Sequence, residues 1–178
     1  MRRAITLWFT GLPSSGKTTL AFAFKQFLDT YPFVVLDGDM VRKVITSDLG
    51  YSLADRERNI ARAAGIAALL NDQKINVISS FITPTVQTRY IAQHIIGSKR
   101  FYLVYIQCGI ETCRQRDVKG LYKANTKLLT GVGQDFDDPT SYADLVIDTE
   151  QYDLVQCVNI LFDFVMNLHE GIADGKIT

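Results

Sequence analysis

A three-layer α/β sandwich, built on a five-stranded parallel sheet with helices on both faces, is the fold this sequence predicts, and two observations carry the prediction. Short apolar runs recur at Ile5 to Phe9, Phe33 to Leu36, Asn76 to Ser80, Phe101 to Ile106 and Leu145 to Ile147, each followed by a stretch of helical character. The first run leads directly into Gly11-Leu12-Pro13-Ser14-Ser15-Gly16-Lys17-Thr18, the pattern of a phosphate-binding loop that leaves a strand and enters a helix.

Taken in order, the first run is too short to be a signal peptide or a membrane span, and it ends in the glycine-rich loop. Glycines let that loop fold tightly, so that successive N–H groups and the positive end of the next helix can hold phosphate oxygens. Lys17 is placed to reach the β- and γ-phosphates and Thr18 to ligate Mg²⁺. A glycine-rich turn capping a helix is the plainer reading, but the Lys-Thr pair in register favours ATP or GTP binding and a P-loop NTPase-type sandwich. Helices are expected over Lys17 to Asp29, Asp55 to Asn71, Thr85 to Ile96, Ile110 to Arg116 and Tyr152 to His169. In the second, Ile60, Ala63, Ala64, Ala67 and Ala68 form a stripe of mostly small residues suited to close packing on a sheet. Lys119 to Ala143 reads as a long irregular stretch, expected to serve as lid and substrate loop of a single kinase-sized domain spanning residues 1–178.

Formal net charge is zero and there is no basic block, which argues against a nucleic-acid surface. With no membrane segment expected, the chain reads as cytoplasmic. Cys108, Cys113 and Cys157 lack paired metal spacing and are expected as buried thiols.

In an open parallel sheet, ligands bind at the carboxyl ends of strands. After the second run comes Asp37-Gly38-Asp39, after the third Ser79-Ser80-Phe81-Ile82-Thr83-Pro84, and after the fifth Asp148-Thr149. Two carboxylates at one strand end suit phosphoryl transfer, one near the metal and one taking the proton of an attacking hydroxyl. Asp39 is the candidate base and Asp37 the second catalytic carboxylate; an Asp-Gly turn is the structural alternative.

These residues converge on a family. Asp37-Gly38-Asp39-Met40-Val41-Arg42, Ser47-Asp48-Leu49-Gly50-Tyr51-Ser52, Asp55-Arg56, Asn59-Ile60, Phe81-Ile82-Thr83-Pro84, Arg116 to Lys123 and Asp144 to Thr149 together resemble adenylylsulfate kinase over nearly the whole chain. The resemblance implies transfer of the γ-phosphate of ATP, with Mg²⁺, to the 3′-hydroxyl of adenosine 5′-phosphosulfate. It implies ATP contacts at Gly11, Leu12, Pro13, Ser14, Ser15, Gly16, Lys17, Thr18, Thr19 and Arg114. On the acceptor side it implies Asp39, Arg42, Tyr51, Arg56, Asn59, Phe81, Ile82, Thr83, Lys119, Gly120, Leu121 and Leu129. Arg42, Arg56 and Asn59 match positions facing the phosphosulfate, Tyr51 matches a base-stacking aromatic, and Lys119 to Lys123 matches a closing lid. A solvated helix face for the arginines and core filling for Tyr51 are the alternatives. The partner is a small nucleotide, and a homodimer is left open.

Departures from the family pattern cluster on the acceptor side. Thr83 stands for serine, Thr85 for an aromatic, Val86 for an arginine and Ala61 for the first arginine of a pair, although Arg89 and Arg62 fit. Leu129 stands where a second stacking phenylalanine is expected, which leaves three alternatives: a weaker adenylylsulfate site, compensation by Phe136, or a different nucleotide such as cytidine diphosphoramidate. A non-catalytic nucleotide-binding regulator and an unrelated small-molecule kinase of the same fold are the remaining alternatives.

Overall fold

The computed structural model describes residues 3–28, 33–117, 120–122 and 129–173. Strand β1 (Thr6–Thr10) is buried along its whole length because it lies at the centre of a sheet covered on both faces. The sheet contains β2 (Phe33–Asp37), β3 (Asn76–Ser80), β4 (Phe101–Gln107) and β5 (Leu145–Asp148), all parallel, in the order β2-β3-β1-β4-β5. The strand after the phosphate loop in sequence is therefore not its neighbour in the sheet. β3 lies between them and brings its own carboxyl end into the same site.

Alternation along β1 assigns the two cores. Ile5, Leu7 and Phe9 face α1 (Lys17–Phe27) and α6 (Leu154–Ala173), where Leu20, Phe24, Leu161 and Val165 meet them. Trp8 faces the opposite layer, stacked on Phe81 with ring centroids 5.4 Å apart. That layer holds α3 (Leu53–Asp72) and α4 (Val86–Ile96), and the predicted stripe of Ile60, Ala63, Ala64 and Ala67 is buried in it. Small side chains there let helix and sheet approach closely. Of that stripe only Ala68 is left half-buried.

The expected elements form, with ends that shift for identifiable reasons. α3 starts at Leu53 because the Ser52 hydroxyl accepts from Asp55 N. Thr85 lies just outside α4 as its cap, in a reciprocal capping box with Thr88. α6 begins two residues later than expected, where Asp153 and Gln156 exchange backbone-to-side-chain bonds of 2.9 and 3.0 Å. One helix was not anticipated: α2 (Gly38–Val44) begins at once after β2, because Asp37 ends the strand and caps the helix. The following short helix is α5 (Ile110–Gln115). No described helix is long and apolar enough to cross a membrane. All three cysteines are buried and free, and burial pushes the Cys113 thiol up to about 12.

Candidate active site

The loop after β1 is shaped by positions that only glycine tolerates well. Gly11 has φ 150°, and a Cβ there would meet the Ile106 carbonyl oxygen at 2.4 Å. Gly16, at φ 99°, turns the chain into α1. The Lys17 Nζ is buried inside this loop, donating to the Gly11 and Leu12 carbonyls at 2.9 and 2.5 Å and to Ser15 Oγ at 3.3 Å. Thr149, beyond β5, donates to the Ser15 carbonyl at 3.1 Å and so fastens the loop to the far strand.

Next to Lys17, three oxygens from three elements converge. Thr18 Oγ1 donates to Asp37 Oδ2 at 2.8 Å and lies 3.1 Å from Ser80 Oγ. A hydroxyl has one proton, and here it is committed to the carboxylate, so Ser80 is the donor to Thr18. Asp37 is buried, and its Oδ1 accepts from the backbone N–H of Asp39 and Met40 at 3.1 and 3.2 Å. The same carboxylate thus orients the phosphate-loop threonine and starts the helix that carries Asp39 and Arg42. Asp39 itself is exposed on the first turn of α2.

A cleft of about 610 Å³ runs from this cluster to Arg42, Tyr51 and Arg56. Of the residues singled out from the sequence, it is lined by Pro13, Ser14, Gly16, Lys17, Thr18, Thr19, Asp37, Asp39, Arg42, Tyr51, Arg56, Asn59, Phe81, Ile82, Thr83, Leu121 and Leu129. Two guanidinium groups gather round one ring: Arg42 Cζ lies 4.6 Å and Arg56 Cζ 5.9 Å from the centre of Tyr51. Arg42 also donates to the Gly50 carbonyl at 3.0 Å, and Arg56 to the Tyr51 carbonyl at 3.1 Å and Thr130 Oγ1 at 3.2 Å. Burial, and then the charge of Arg42, lower the pKa of Arg56. Two like charges held together at a cleft wall are suited to a doubly anionic ligand. Asn59 is buried and accepts from Thr46 Oγ1 at 2.7 Å, which leaves its amide as the donor.

Some sequence-selected residues lie elsewhere. Gly11, Leu12 and Ser15 shape the loop from behind its lining surface, and Gly120, at φ 66°, is not on the cleft wall. Arg114 is exposed on α5 and paired with Glu111 at 2.8 Å, away from the cleft. Lys119 and Lys123 lie outside the described residues. Phe136 stacks on Tyr105 at 5.9 Å and under Arg89 at 5.0 Å, and is not part of the cleft lining. Thr83 is buried at φ 45°, and its hydroxyl accepts from the Trp8 indole N–H at 2.9 Å.

Sequence reasoning passed over Ser80 and Arg116, which also line the cleft. Both stood inside quoted segments, and only the strand order shows that Ser80 opposes Thr18. Arg116 is held by the Thr149 hydroxyl and carbonyl at 2.9 and 2.7 Å. Just beyond it, Asp117 accepts from the N–H groups of Leu121 and Tyr122, and the Tyr122 hydroxyl donates to the Pro13 carbonyl at 3.0 Å.

Comparison with known proteins agrees with this geometry. Residues 3–148 match the family model for adenylylsulphate kinase. The chain is 39% identical over 170 residues to an adenylyl-sulfate kinase of Shewanella halifaxensis, covering 92% of this chain and 82% of that one. It is 38% identical over 166 residues to one from Synechococcus, covering 90% and 93% respectively. Its fold superposes with a TM-score of 0.86 on the solved structure of the Mycobacterium tuberculosis APS kinase CysC in complex with AMPPNP and APS, at 30% identity, covering 93% of this chain and 99% of that one.

Proposed function

Because the chain belongs to the adenylylsulphate kinase family, we propose that it transfers the γ-phosphate of ATP to the 3′-hydroxyl of adenosine 5′-phosphosulfate, giving 3′-phosphoadenosine 5′-phosphosulfate and ADP. The observation that carries this reading is a single cleft joining Lys17 and Thr18, the carboxylate of Asp39, and the Arg42–Arg56 pair around Tyr51.

In this reading the Lys17 protons now given to loop carbonyls turn to the β- and γ-phosphate oxygens. Asp39 accepts the proton of the 3′-hydroxyl as its oxygen attacks the γ-phosphorus, while the bond from that phosphorus to the β–γ bridging oxygen breaks and ADP leaves. Arg42 and Arg56 hold the phosphosulfate, which fixes the ribose so that the hydroxyl meets the phosphate in line. The segment over 119–143 closes the site against water that would otherwise hydrolyse ATP.

The oxygens of Thr18, Asp37 and Ser80 form a donor set suited to Mg²⁺, a hard cation. When bound, it supplies positive charge to the phosphate oxygens. A cytoplasmic setting is part of the proposal and fits three reduced, buried thiols.

The test is product formation from ATP with adenosine 5′-phosphosulfate and, separately, with cytidine diphosphoramidate. A higher kcat/KM on the adenylyl substrate supports the reading. Preference for the cytidine nucleotide keeps the chemistry and changes the acceptor. ATP binding with transfer to neither returns the chain to a regulatory role.

A further inference from the structure

Arg89 is buried to 3% exposure, yet no described carboxylate lies within salt-bridge distance of it. A buried guanidinium is costly unless its protons are used, and here they are shared between two stretches of chain. Towards the β3 side, Nε donates to the Thr83 carbonyl at 3.0 Å and Nη2 to the Pro84 carbonyl at 3.1 Å. Towards the segment returning to β5, Nη2 donates to the Asp137 carbonyl at 2.5 Å and Nη1 to the Tyr142 hydroxyl, with the Phe136 ring 5.0 Å from Cζ. Asp138 senses the charge from further off.

Both stretches lead to cleft walls. Phe81, Ile82 and Thr83 form one wall, and Leu129 and Thr130, upstream on the second stretch, form part of the other. The first wall ends in a strained conformation: Thr83 is β-branched yet holds φ 45°, a region that such residues avoid. Besides Arg89, it is held by Trp8 Nε1 donating to its hydroxyl, while Thr10 Oγ1, 3.2 Å from its carbonyl, donates to the preceding Ile82 carbonyl at 2.7 Å.

We propose that Arg89 is a positioning residue for the acceptor pocket: it ties the Phe81–Thr83 wall to the segment descending from Leu129–Thr130 and so holds the acceptor in line without touching it. The proposal rests on the adenylylsulfate reading of the cleft. It also explains why a fixed cation stands where three carbonyls, a tyrosine hydroxyl and an aromatic ring receive it. A lysine carries the same charge but lacks the planar fork needed to span both sides.

Trp8 is the single tryptophan of the chain and bonds directly to Thr83, so its indole N–H resonance reports the wall. In Arg89→Lys, that resonance is expected to move upfield. The KM for adenosine 5′-phosphosulfate should rise about ten- to hundredfold, while the dissociation constant of an ATP analogue stays within about twofold. Tyr142→Phe, which removes one exposed partner of the fork, should move both readouts in the same direction by less, and should not add to Arg89→Lys. An unmoved indole signal, an unmoved KM, or equal weakening of both nucleotides overturns the proposal. If the parent protein does not act on adenosine 5′-phosphosulfate, the functional reading falls, and the indole signal alone still decides whether Arg89 holds the wall.

Discussion

Asp37→Asn and Asp37→Ala should separate two tasks that one carboxylate performs. In the native chain, Oδ2 takes the Thr18 proton at 2.8 Å and Oδ1 caps α2 through the N–H groups of Asp39 and Met40. Asparagine keeps a carbonyl oxygen for the cap, and Asn and Asp are near-equal helix caps, so its stability should fall by less than about 0.5 kcal/mol. Alanine removes the cap, which costs about 1 kcal/mol. Little more is expected, because the Thr18 hydroxyl can turn to Ser80 Oγ, 3.1 Å away. For a chain of this length, about 1 kcal/mol lowers Tm by about 2–4 °C. Both variants lose the anionic donor of the Thr18–Asp37–Ser80 set, so both should lose at least about 10²-fold in kcat and need more Mg²⁺ for half-maximal rate. Alanine should also raise the KM of the acceptor, since α2 carries Arg42. The assays are thermal melting and ADP release with Mg²⁺ titrated. Equal melting of the two variants would refute the cap argument. Full kcat with unchanged Mg²⁺ dependence in Asp37→Asn would refute the cation assignment.

Asp39→Asn should lower kcat by about 10²–10⁴-fold while ATP binding survives, because shape is kept and the proton acceptor lost; an unchanged kcat in a stopped assay of product would remove Asp39 as base. Leu129→Phe should lower the KM for adenosine 5′-phosphosulfate, by no more than about 1–3 kcal/mol of stacking, with little change for ATP; a rise in KM would mean that leucine shapes a different base site. Burial raises Tyr105 from 10.0 to about 12 and Cys113 from 9.0 to about 12. The folded state then holds protons that the unfolded chain releases from about pH 9 upward, so stability from these groups is complete below pH 9 and lost as pH rises towards 12. Urea midpoints measured from pH 8 to 11 should fall, and a flat profile would count against the burial of both groups.

The strand-to-helix loop was legible because its chemistry is local. Gly11, Gly16, Lys17 and Thr18 act through backbone angles and spacing within a few residues, and so did the five apolar runs. α2 was not legible, because Asp37-Gly38-Asp39 also satisfies a turn, and only the Asp37 side chain folding back on the N–H groups of Asp39 and Met40 makes it a helix start. Arg114 shows the reverse case. The family resemblance implied a nucleotide contact, and the structure shows its guanidinium exposed on α5 and paired with Glu111, three residues earlier.

What the sequence determined by itself was the alternation of strand and helix, the phosphate loop and the two aspartates at one strand end, each set by side-chain period or by contacts along a short stretch of chain. The order β2-β3-β1-β4-β5, and with it the meeting of Thr18, Asp37 and Ser80, was decided by the tertiary structure. So was the burial of Arg89 between the Thr83–Pro84 stretch and Asp137. A repeating pattern fixes which face of an element is apolar, but which element covers that face depends on packing between residues far apart in the chain, where local spacing carries no information.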